Sequence, residues 1–492
     1  MIPLHEPLAT NVPVTSNMIS RNSSSFVCRQ FAPSAGLLLA GLLFAGCKGI
    51  PTKSEKEARQ HAQAVTAVYR PHDQKPPLPV LTADSSLSNY LAFAMLSQPK
   101  VEAAFYDWAA SIERITQARS LPDPQVTFQM DIQNIVTSIM PGLMGSIPWP
   151  DKLRVGAQIA SAESQAKYFA FQSSVLDSAY EVKRAYYQLY FLAEKIRVNQ
   201  NNFDLLSELE KLARAQNEVG KVTLQDVLRA QIEQDQLKTE IANLEDSRNP
   251  LLAQFKAALG LGTDGPTPAM PGRFESTPLE LSADKLFETA LAQNTRLREM
   301  EADVRAAEAS LILARRSRLP DFSLGLMADV QVNPTLYRPL GSLSLPIWRD
   351  KIAAQIAEAQ ANKRSAKARL SDEQIALAVD FAQRSYLYRE ATRNLALLND
   401  QLLPKARQSL EVARSSYLGG QIDFFNLIDT ERTLLGFELD RVGAATQREV
   451  VLAELSLIIQ GMPPASAPMG SGTARMNRGS QSSPKKTSSG KM

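Results

Sequence analysis

The sequence predicts a mainly α-helical chain with a small β part, in which a strand pair followed by a long helical hairpin occurs twice. Three observations predict this: an internal repeat, long segments without helix breakers, and short segments of alternating apolar and polar residues. Leu121–Asp123 (Leu-Pro-Asp) returns as Leu319–Asp321, and Gly220 returns as Gly420. The interval is about 199 residues, which indicates a tandem duplication of one supersecondary unit.

Residues 1–46 are predicted to be an export signal peptide. The apolar run Leu37–Phe44 is too short for a membrane anchor. It leads into Leu43–Cys47, which resembles the bacterial lipobox, although Phe44 stands where that motif usually has leucine. We therefore expect Cys47 to be lipidated and to tether the chain to a membrane, with a free cysteine after an ordinary signal peptide as the alternative.

Composition sets the remaining boundaries. Residues 47–87 are rich in Pro, Lys, Gln and Ser and are predicted to form an extended lipidated leader. Repeat 1 is expected over 88–262 and repeat 2 over 282–461, each with a helix, two strands and a helical hairpin, and an inter-repeat linker over 263–281 joins them. Residues 462–492 contain few large apolar side chains, which predicts a disordered tail.

The helical hairpin of the first copy is the strongest local signal. No proline lies between Pro150 and Pro250, and a helix over residues 151–218 would be roughly 100 Å long at about 1.5 Å per residue. Gly220 marks the turn, and Thr223 can cap a return helix that begins at Leu224. The heptad seam that predicts coiled-coil packing consists of Val182, Ala185, Leu189, Leu192, Ile196, Phe203, Leu206 and Ala213, with Asn199 as a polar exception.

The second copy repeats the plan, with a helix over 350–418, a turn at Gly419 and Gly420, and a return helix to about residue 460. Pro404 should kink or interrupt the first of these helices, because proline lacks an amide hydrogen and clashes with the preceding turn. A shorter single helix is expected before each strand pair, at about 88–118 and 282–318.

The predicted strands are short and alternate in polarity. They cover 125–132 and 143–149 in the first copy, and 321–332 and 343–348 in the second, with Trp149 and Trp348 at the ends of corresponding strands. Such strands are typical either of soluble hairpins or of a membrane sheet with interfacial aromatic residues. Four strands cannot close a bacterial membrane barrel, which needs at least about eight, so several chains would have to share one.

Composition disfavours catalysis in the repeats. The three histidines (His5, His61 and His72) and the two cysteines (Cys28 and Cys47) all precede the first repeat, so the repeats have no histidine or thiol for acid–base, nucleophilic or metal chemistry. We therefore expect a non-enzymatic protein without a cofactor or metal. Lys plus Arg (54) nearly balance Asp plus Glu (51), which supplies no broad basic face for nucleic acid.

Over about residues 88–461, the chain resembles the TolC-like outer-membrane factors, the exit ducts of Gram-negative tripartite efflux systems. The resemblance depends on the lipobox and the duplication, on the strand-ending motifs at 147–152 and 345–351, and on the hairpin-tip motifs at 219–228 and 417–428. It implies a homotrimer in which each chain gives four transmembrane strands to one α/β barrel, anchored in the outer membrane and extending into the periplasm.

The resemblance also implies functional residues. The hairpin tips at Gly220, Thr223, Gly419 and Gly420 would dock a periplasmic adaptor that connects the duct to an inner-membrane pump. Asp429 would form an acidic ring that narrows the tunnel, with Asn426 beside it. A bond between Tyr417 and Asp226 would tether the closed gate. Like charges brought to a three-fold axis would attract cations on physical grounds alone.

Two other interpretations remain open from the sequence. A periplasmic adaptor is often a lipoprotein with one coiled-coil hairpin, whereas this chain predicts two hairpins and paired strands. A structural coiled-coil lipoprotein would need neither alternating strands nor glycine-containing tips. No sequence pattern indicates a specific ligand pocket. The sequence therefore leaves open whether the exported substrate is a drug, a metal cation or another solute.

Overall fold

The computed structural model describes residues 51–132, 136–262, 264–272, 274 and 283–460, and these belong to one compact unit. The predicted signal peptide, the lipidation of Cys47 and the predicted tail lie outside the described residues. The helices are α1 (Lys53–Tyr69), α2 (Leu87–Ser97), α3 (Pro99–Arg119), α4 (Pro150–Glu218), α5 (Leu224–Asp246), α6 (Arg248–Ala258), α7 (Ala283–Gln293), α8 (Thr295–Arg316), α9 (Arg349–Leu397), α10 (Leu403–Leu418) and α11 (Phe424–Gln460). The strands are β1 (Gln125–Ile132), β2 (Val136–Ile147), β3 (Asp321–Asp329) and β4 (Leu336–Ser344). The predicted fold class, mainly helical with a small β part, is confirmed.

Helix α4 is continuous over 69 residues and begins with Pro150, whose missing amide hydrogen costs nothing at a helix start. Its predicted heptad seam is buried except for Phe203, which is partly buried. Asn199 is only 1% exposed within the same seam. None of the helices in the described part of the chain combines membrane-spanning length with sufficient apolarity.

The shorter helices are broken where the sequence predicted continuity. The expected helix at 88–118 is two helices, because Pro99 starts α3 and forces Gln98 into an extended conformation. The expected helix at 282–318 is divided at Asn294, whose side chain caps α8 by accepting from the Leu297 amide at 3.1 Å and donates to the Ile458 carbonyl at 2.9 Å.

The prediction of an extended leader is wrong for Lys53–Tyr69, which is helix α1. Thr52 caps this helix by accepting from the Glu55 amide at 3.2 Å. Its Lys, Glu, Ala, Arg and Gln residues are strong helix formers, and the Tyr69 ring packs 5.0 Å from Phe105 of α3. The prediction gave more weight to the prolines after residue 70 than to the helix propensity of residues 53–69.

The predicted effect of Pro404 is confirmed. Between α9 and α10, residues Leu398–Leu402 form one π-helical turn, in which the Leu403 amide donates to the Leu398 carbonyl. Proline cannot donate the next helical hydrogen bond and crowds the preceding turn, and a wider turn accommodates both effects.

The four strands form one antiparallel sheet in the order β1-β2-β3-β4. The predicted second strands at 143–149 and 343–348 are wrong in their bounds, because β2 and β4 begin earlier and end before the tryptophans. Trp149 and Trp348 instead occupy the positions directly before α4 and α9. Alternation was weak in both segments because of their Pro and Gly residues.

The two faces of the sheet differ sharply in polarity. Side chains of directly paired residues lie on the same face, so the register assigns the regularly paired residues of the four strands to one side or the other. One face is apolar, and its outward side chains are exposed, as for Val126 (82%) and Leu324 (61%). It comprises Val126, Phe128, Met130, Ile139, Pro141, Leu143, Gly145, Ile147, Phe322, Leu324, Leu326, Ala328, Tyr337, Pro339, Gly341 and Leu343. The opposite face mixes Met, Gly and Leu with polar residues that include Gln125, Thr127, Gln129, Asp131, Ser323, Asp329 and Arg338.

Candidate functional site

The two hairpin tips have the same backbone geometry. Gly220 and Gly420 both adopt left-handed conformations, with φ of 71° and 68°. Residues with a Cβ atom disfavour this conformation. Each glycine ends a helix in a Schellman motif, where two amides close on carbonyls of the last turn. These hydrogen bonds join Lys221 to Gln216 (2.9 Å), Gly220 to Asn217 (2.9 Å), Gln421 to Ser416 (2.8 Å) and Gly420 to Tyr417 (3.0 Å).

The return helices begin with matching caps. Thr223 and Asp226 form a capping box at the start of α5, in which the Asp226 carboxylate accepts from the Thr223 amide at 3.2 Å. In the second hairpin, Asp423 accepts from the Asn426 amide at 3.0 Å. Both tips are therefore rigid turns between two capped helices. The expected docking residues Gly220, Thr223, Gly419 and Gly420 all lie there.

A cleft of about 440 Å³ separates the two tips, and both expected tether residues line it. No hydrogen bond joins Tyr417 to Asp226, and the buried Tyr417 hydroxyl has no partner among the described residues. Burial raises the pKa of Tyr417, and the negative charge of Asp226 adds to this effect. The structure therefore brings the two groups to one cleft and leaves the hydroxyl available as a donor.

The two expected constriction residues, Asn426 and Asp429, lie three positions apart on α11 and share one face of the helix. Both are exposed in the single chain. Arg432, one turn further on, forms an ion pair with Glu233 of α5. The hydrogen bond from Arg432 to Glu233 within this ion pair raises the pKa of Arg432, and the negative charges of Glu431 and Asp429 raise it further.

This region also contains a buried carboxyl group that was not predicted from the sequence. Glu431 is 1% exposed and faces Asn202 of α4. Burial raises the pKa of Glu431 to about 7, while the Asn202 side chain opposes this change. A polar residue between the apolar residues Ile428 and Leu434 was the available signal, but the predicted seam did not extend along α11.

The tips also expose apolar side chains. Leu224 and Leu228 form an outward stripe on α5, 61% and 49% exposed. Phe425 of α11 is exposed as well, and the Arg229 guanidinium lies 5.0 Å from the centre of its ring. Large apolar side chains exposed together at a helical tip are typical of a surface that another protein covers.

A polar junction connects the sheet to the long helices. The Lys152 ammonium of α4 donates to Asp321 of β3 at 2.9 Å and to the Leu319 carbonyl at 2.8 Å. Asp321 also accepts from the Trp149 amide at 3.0 Å. The motif at 151–152 of the first copy therefore meets the motif at 319–321 of the second copy here. This junction fixes the angle at which α4 leaves the sheet.

The comparisons with known proteins agree with this geometry. Residues 286–459 match the model of the family described as outer membrane efflux protein. The chain is 21% identical to the cobalt-zinc-cadmium resistance protein CzcC of Cupriavidus metallidurans, over 74% of this chain and 87% of that protein. It is 23% identical to the outer membrane efflux protein BepC of Brucella suis, over 77% of this chain and 86% of BepC.

Solved structures share the fold. The outer membrane protein VceC from Vibrio cholerae superposes with a TM-score of 0.65 at 15% identity, covering 76% of this chain and 96% of VceC. The open state of the Neisseria gonorrhoeae MtrE outer membrane channel gives a TM-score of 0.64 at 16% identity, covering 79% of this chain and 97% of MtrE.

Proposed function

We propose that this chain, which belongs to the outer membrane efflux protein family, forms the exit duct of an efflux system in the outer membrane. The observation that carries the proposal is the two-faced sheet continuing into two long helical hairpins. A sheet with one exposed apolar face and one polar face matches the alternation of membrane strands, which face lipid on one side and a water-filled lumen on the other.

The sheet of one chain is incomplete. Among the described residues β1 pairs only with β2, and β4 only with β3, so both edges keep unpaired backbone groups. Such edges are untenable in lipid, where backbone groups must bond within the protein. Three chains that join β4 of one to β1 of the next would close a twelve-stranded barrel. We therefore propose a homotrimer.

The helical hairpins supply the periplasmic part of this assembly. Helix α9 buries few of its residues in the single chain and exposes Ile375, Val379 and Tyr386. A neighbouring copy would cover such a face and complete a helical tunnel. Lipidation of Cys47 would place a second anchor in the outer membrane near the barrel.

The tips are proposed to dock a periplasmic adaptor, which in turn connects the duct to an inner-membrane pump. Two rigid glycine turns, an intervening cleft and exposed leucines support this role. Each turn is closed by its own hydrogen bonds, so docking there would change the spacing of the tips without unfolding either turn.

The gate is proposed to combine Tyr417, Asp226, Asn426 and Asp429. The unpartnered Tyr417 hydroxyl would donate to Asp226 when three closed chains compress the cleft. Asp429 would supply three carboxylates around the axis, a constriction that attracts cations. The exposure of Asp429 in the single chain supports this placement, since it leaves the carboxylate available to an axis shared with other copies.

The two alternatives explain fewer observations. A periplasmic adaptor with one hairpin does not account for a four-stranded sheet with an exposed apolar face between two hairpins. A structural coiled-coil lipoprotein does not account for the sheet at all.

Spin labels on adjacent strand residues test the membrane assignment. Cysteine variants Leu324→Cys and Ser323→Cys, labelled and reconstituted in liposomes, provide a matched pair on opposite faces of β3. We expect the label at 324 to be accessible to oxygen and shielded from a water-soluble nickel complex, and the label at 323 to show the reverse. Equal access of nickel to both positions would exclude a lipid-facing sheet.

A further inference from the structure

A cavity of about 670 Å³ lies among α4, α5, α9 and α11, well above the tips. Asn199, on its wall, precedes the Gly220 turn by 21 residues, or about 30 Å of helix. The volume falls within the range of about 300–1,000 Å³ that is usual for small-molecule sites. None of the proposed duct functions uses this cavity.

The cavity lies where the helices lose regularity. The π-helical turn contributes Leu398 and Leu402 to its wall. The buried core also divides here: one apolar cluster includes α4 residues up to Val198, and a separate cluster begins at Leu206. The cavity therefore separates the upper body from the lower hairpins.

The polar lining of the cavity has a net negative charge. Glu240, Glu390 and Asp440 contribute carboxylates, against a single ammonium from Lys195. Glu240 and Asp440 occupy equivalent positions on the two return helices, so the duplication itself places two acids on this wall. Six leucines also line the cavity, so its wall combines anionic and apolar groups.

Asn199 adds an independent observation. This residue lines the cavity and is 1% exposed. Its amide nitrogen donates to the Lys195 carbonyl at 2.8 Å, and its side-chain oxygen has no donor among the described residues. A buried acceptor without a partner is costly in a folded protein, and a ligand N–H would relieve that cost.

We propose that this cavity binds a small organic cation with a primary ammonium group on a compact apolar body. The ammonium pairs with Glu240 and Asp440 and donates to Asn199, while the apolar body contacts Leu398 and Leu402. Because the site separates the two apolar clusters, an occupied cavity resists movement of the lower hairpins relative to the upper body.

Benzylammonium is a suitable probe, with benzyl alcohol as its neutral counterpart. Calorimetric titration of the full-length protein in lipid nanodiscs should show saturable binding of benzylammonium and at least tenfold weaker binding of benzyl alcohol. The double variant Glu240→Gln/Asp440→Asn should weaken benzylammonium binding at least tenfold. Equal binding of both probes, or unchanged affinity in the double variant, would overturn the proposal.

Two glycines of α11 allow a matched steric test. A Cβ added at Gly443 or at Gly436 meets no atom within 4 Å, but only Gly443 lines the cavity. The Gly443→Leu variant should fill the cavity and abolish benzylammonium binding, whereas Gly436→Leu should retain the affinity of the parent. Retained binding in Gly443→Leu, with an intact oligomer, would place the probe elsewhere.

Discussion

Tyr417 has an unusual environment, because its hydroxyl is buried beside a carboxylate to which it is not bonded. An unsatisfied buried hydroxyl costs about 1–3 kcal/mol, which favours any rearrangement that supplies an acceptor. Asp226 is the acceptor on the same cleft. The tether proposed for the closed gate therefore has a driving force that originates in a single residue.

The conductance of the reconstituted duct tests the gate residues. We predict that Tyr417→Phe raises ion conductance because the tether is lost, and that Asp429→Ala raises it because the constriction loses its side chains and charge. Planar-bilayer recording at low salt is the measurement, since screening weakens charge effects at high salt.

Two variants elsewhere on the helices are matched controls for this experiment. Tyr106→Phe removes a half-exposed tyrosine hydroxyl of α3, and Asp235→Ala removes an exposed aspartate of α5. Both should conduct as the parent does. If Tyr417→Phe and Asp429→Ala also conduct as the parent does, the gate assignment is wrong.

Glu431 makes the folding stability of the lower hairpins depend on pH. Burial raises its pKa from 4.5 to about 7, opposed by Asn202 and Arg432 and assisted by the charge of Glu233. The pKa of Glu431 is higher in the folded state than in the unfolded state, so the protonated side chain favours folding. This contribution to folding stability is complete below pH 4.5 and is lost as the pH rises through about 7. The loss is on the order of 3 kcal/mol per chain.

The variant Glu431→Gln should remove most of that dependence, since glutamine keeps the shape of the side chain without titrating. We expect urea unfolding midpoints measured at pH 5 and pH 8 to differ less in Glu431→Gln than in the parent. Glu411→Gln, at an exposed position of α10, should leave the parental difference unchanged. An undiminished difference in Glu431→Gln would assign the pH dependence to another group.

Helix α1 is held by a buried ionic cluster. Glu55 is 1% exposed and accepts from Arg119 at 2.5 Å and from Thr116 at 2.7 Å, both on α3, while Arg59 of α1 also contacts it. Burial by itself would raise the pKa of Glu55, but these hydrogen bonds outweigh it and lower the pKa to about 2. The carboxylate therefore joins α1 to the body of the protein.

Removing this carboxylate should release α1. Breaking a buried ion pair from one side costs about 3–5 kcal/mol. We predict that Glu55→Ala accelerates hydrogen exchange of the α1 amides by about a hundredfold, because local opening of the helix becomes easier. Glu57→Ala, on the exposed side of the same helix, should change exchange little. Unchanged exchange in Glu55→Ala would mean that aromatic packing at Tyr69 suffices.

The long elements were predictable because they depend on local sequence. A proline-free stretch with a heptad seam specifies α4, and Pro404 specifies the interruption before α10. The break at Gln98 follows from the adjacent Pro99, a local signal that the prediction did not use. The break at Asn294 was missed because its side chain bonds to the distant Ile458 carbonyl. Helix α1 has local signals, the Thr52 cap and a run of helix formers, and was missed because the prolines that follow it were given more weight.

The site was predictable only in part. The tip glycines and caps follow local rules, so Gly220, Gly420 and Thr223 were correctly expected at turns. The approach of Tyr417 to Asp226 depends on the spacing of two hairpins, and the burial of Glu431 depends on packing against α4. Neither property is encoded in a local pattern. The two-faced sheet became evident only when the strand register fixed which residues share a side.

At the scale of the whole molecule, one chain leaves several surfaces unfinished: two sheet edges, an apolar sheet face, much of α9 and the tip leucines. Each of them is explained by the same assembly. In the proposed trimer, neighbouring copies would pair the edges and cover α9, lipid would cover the sheet face, and an adaptor would cover the tips. The proposed duct therefore accounts for these surfaces with a single assembly.

Cryo-electron microscopy of the full-length protein in lipid nanodiscs tests this assembly most directly. We predict three copies around one axis, with twelve strands enclosing a lumen inside the disc and with Val126 and Leu324 against lipid. The hairpins should extend together as one tunnel outside the disc. A single copy, or a sheet that lies outside the lipid, would contradict the account.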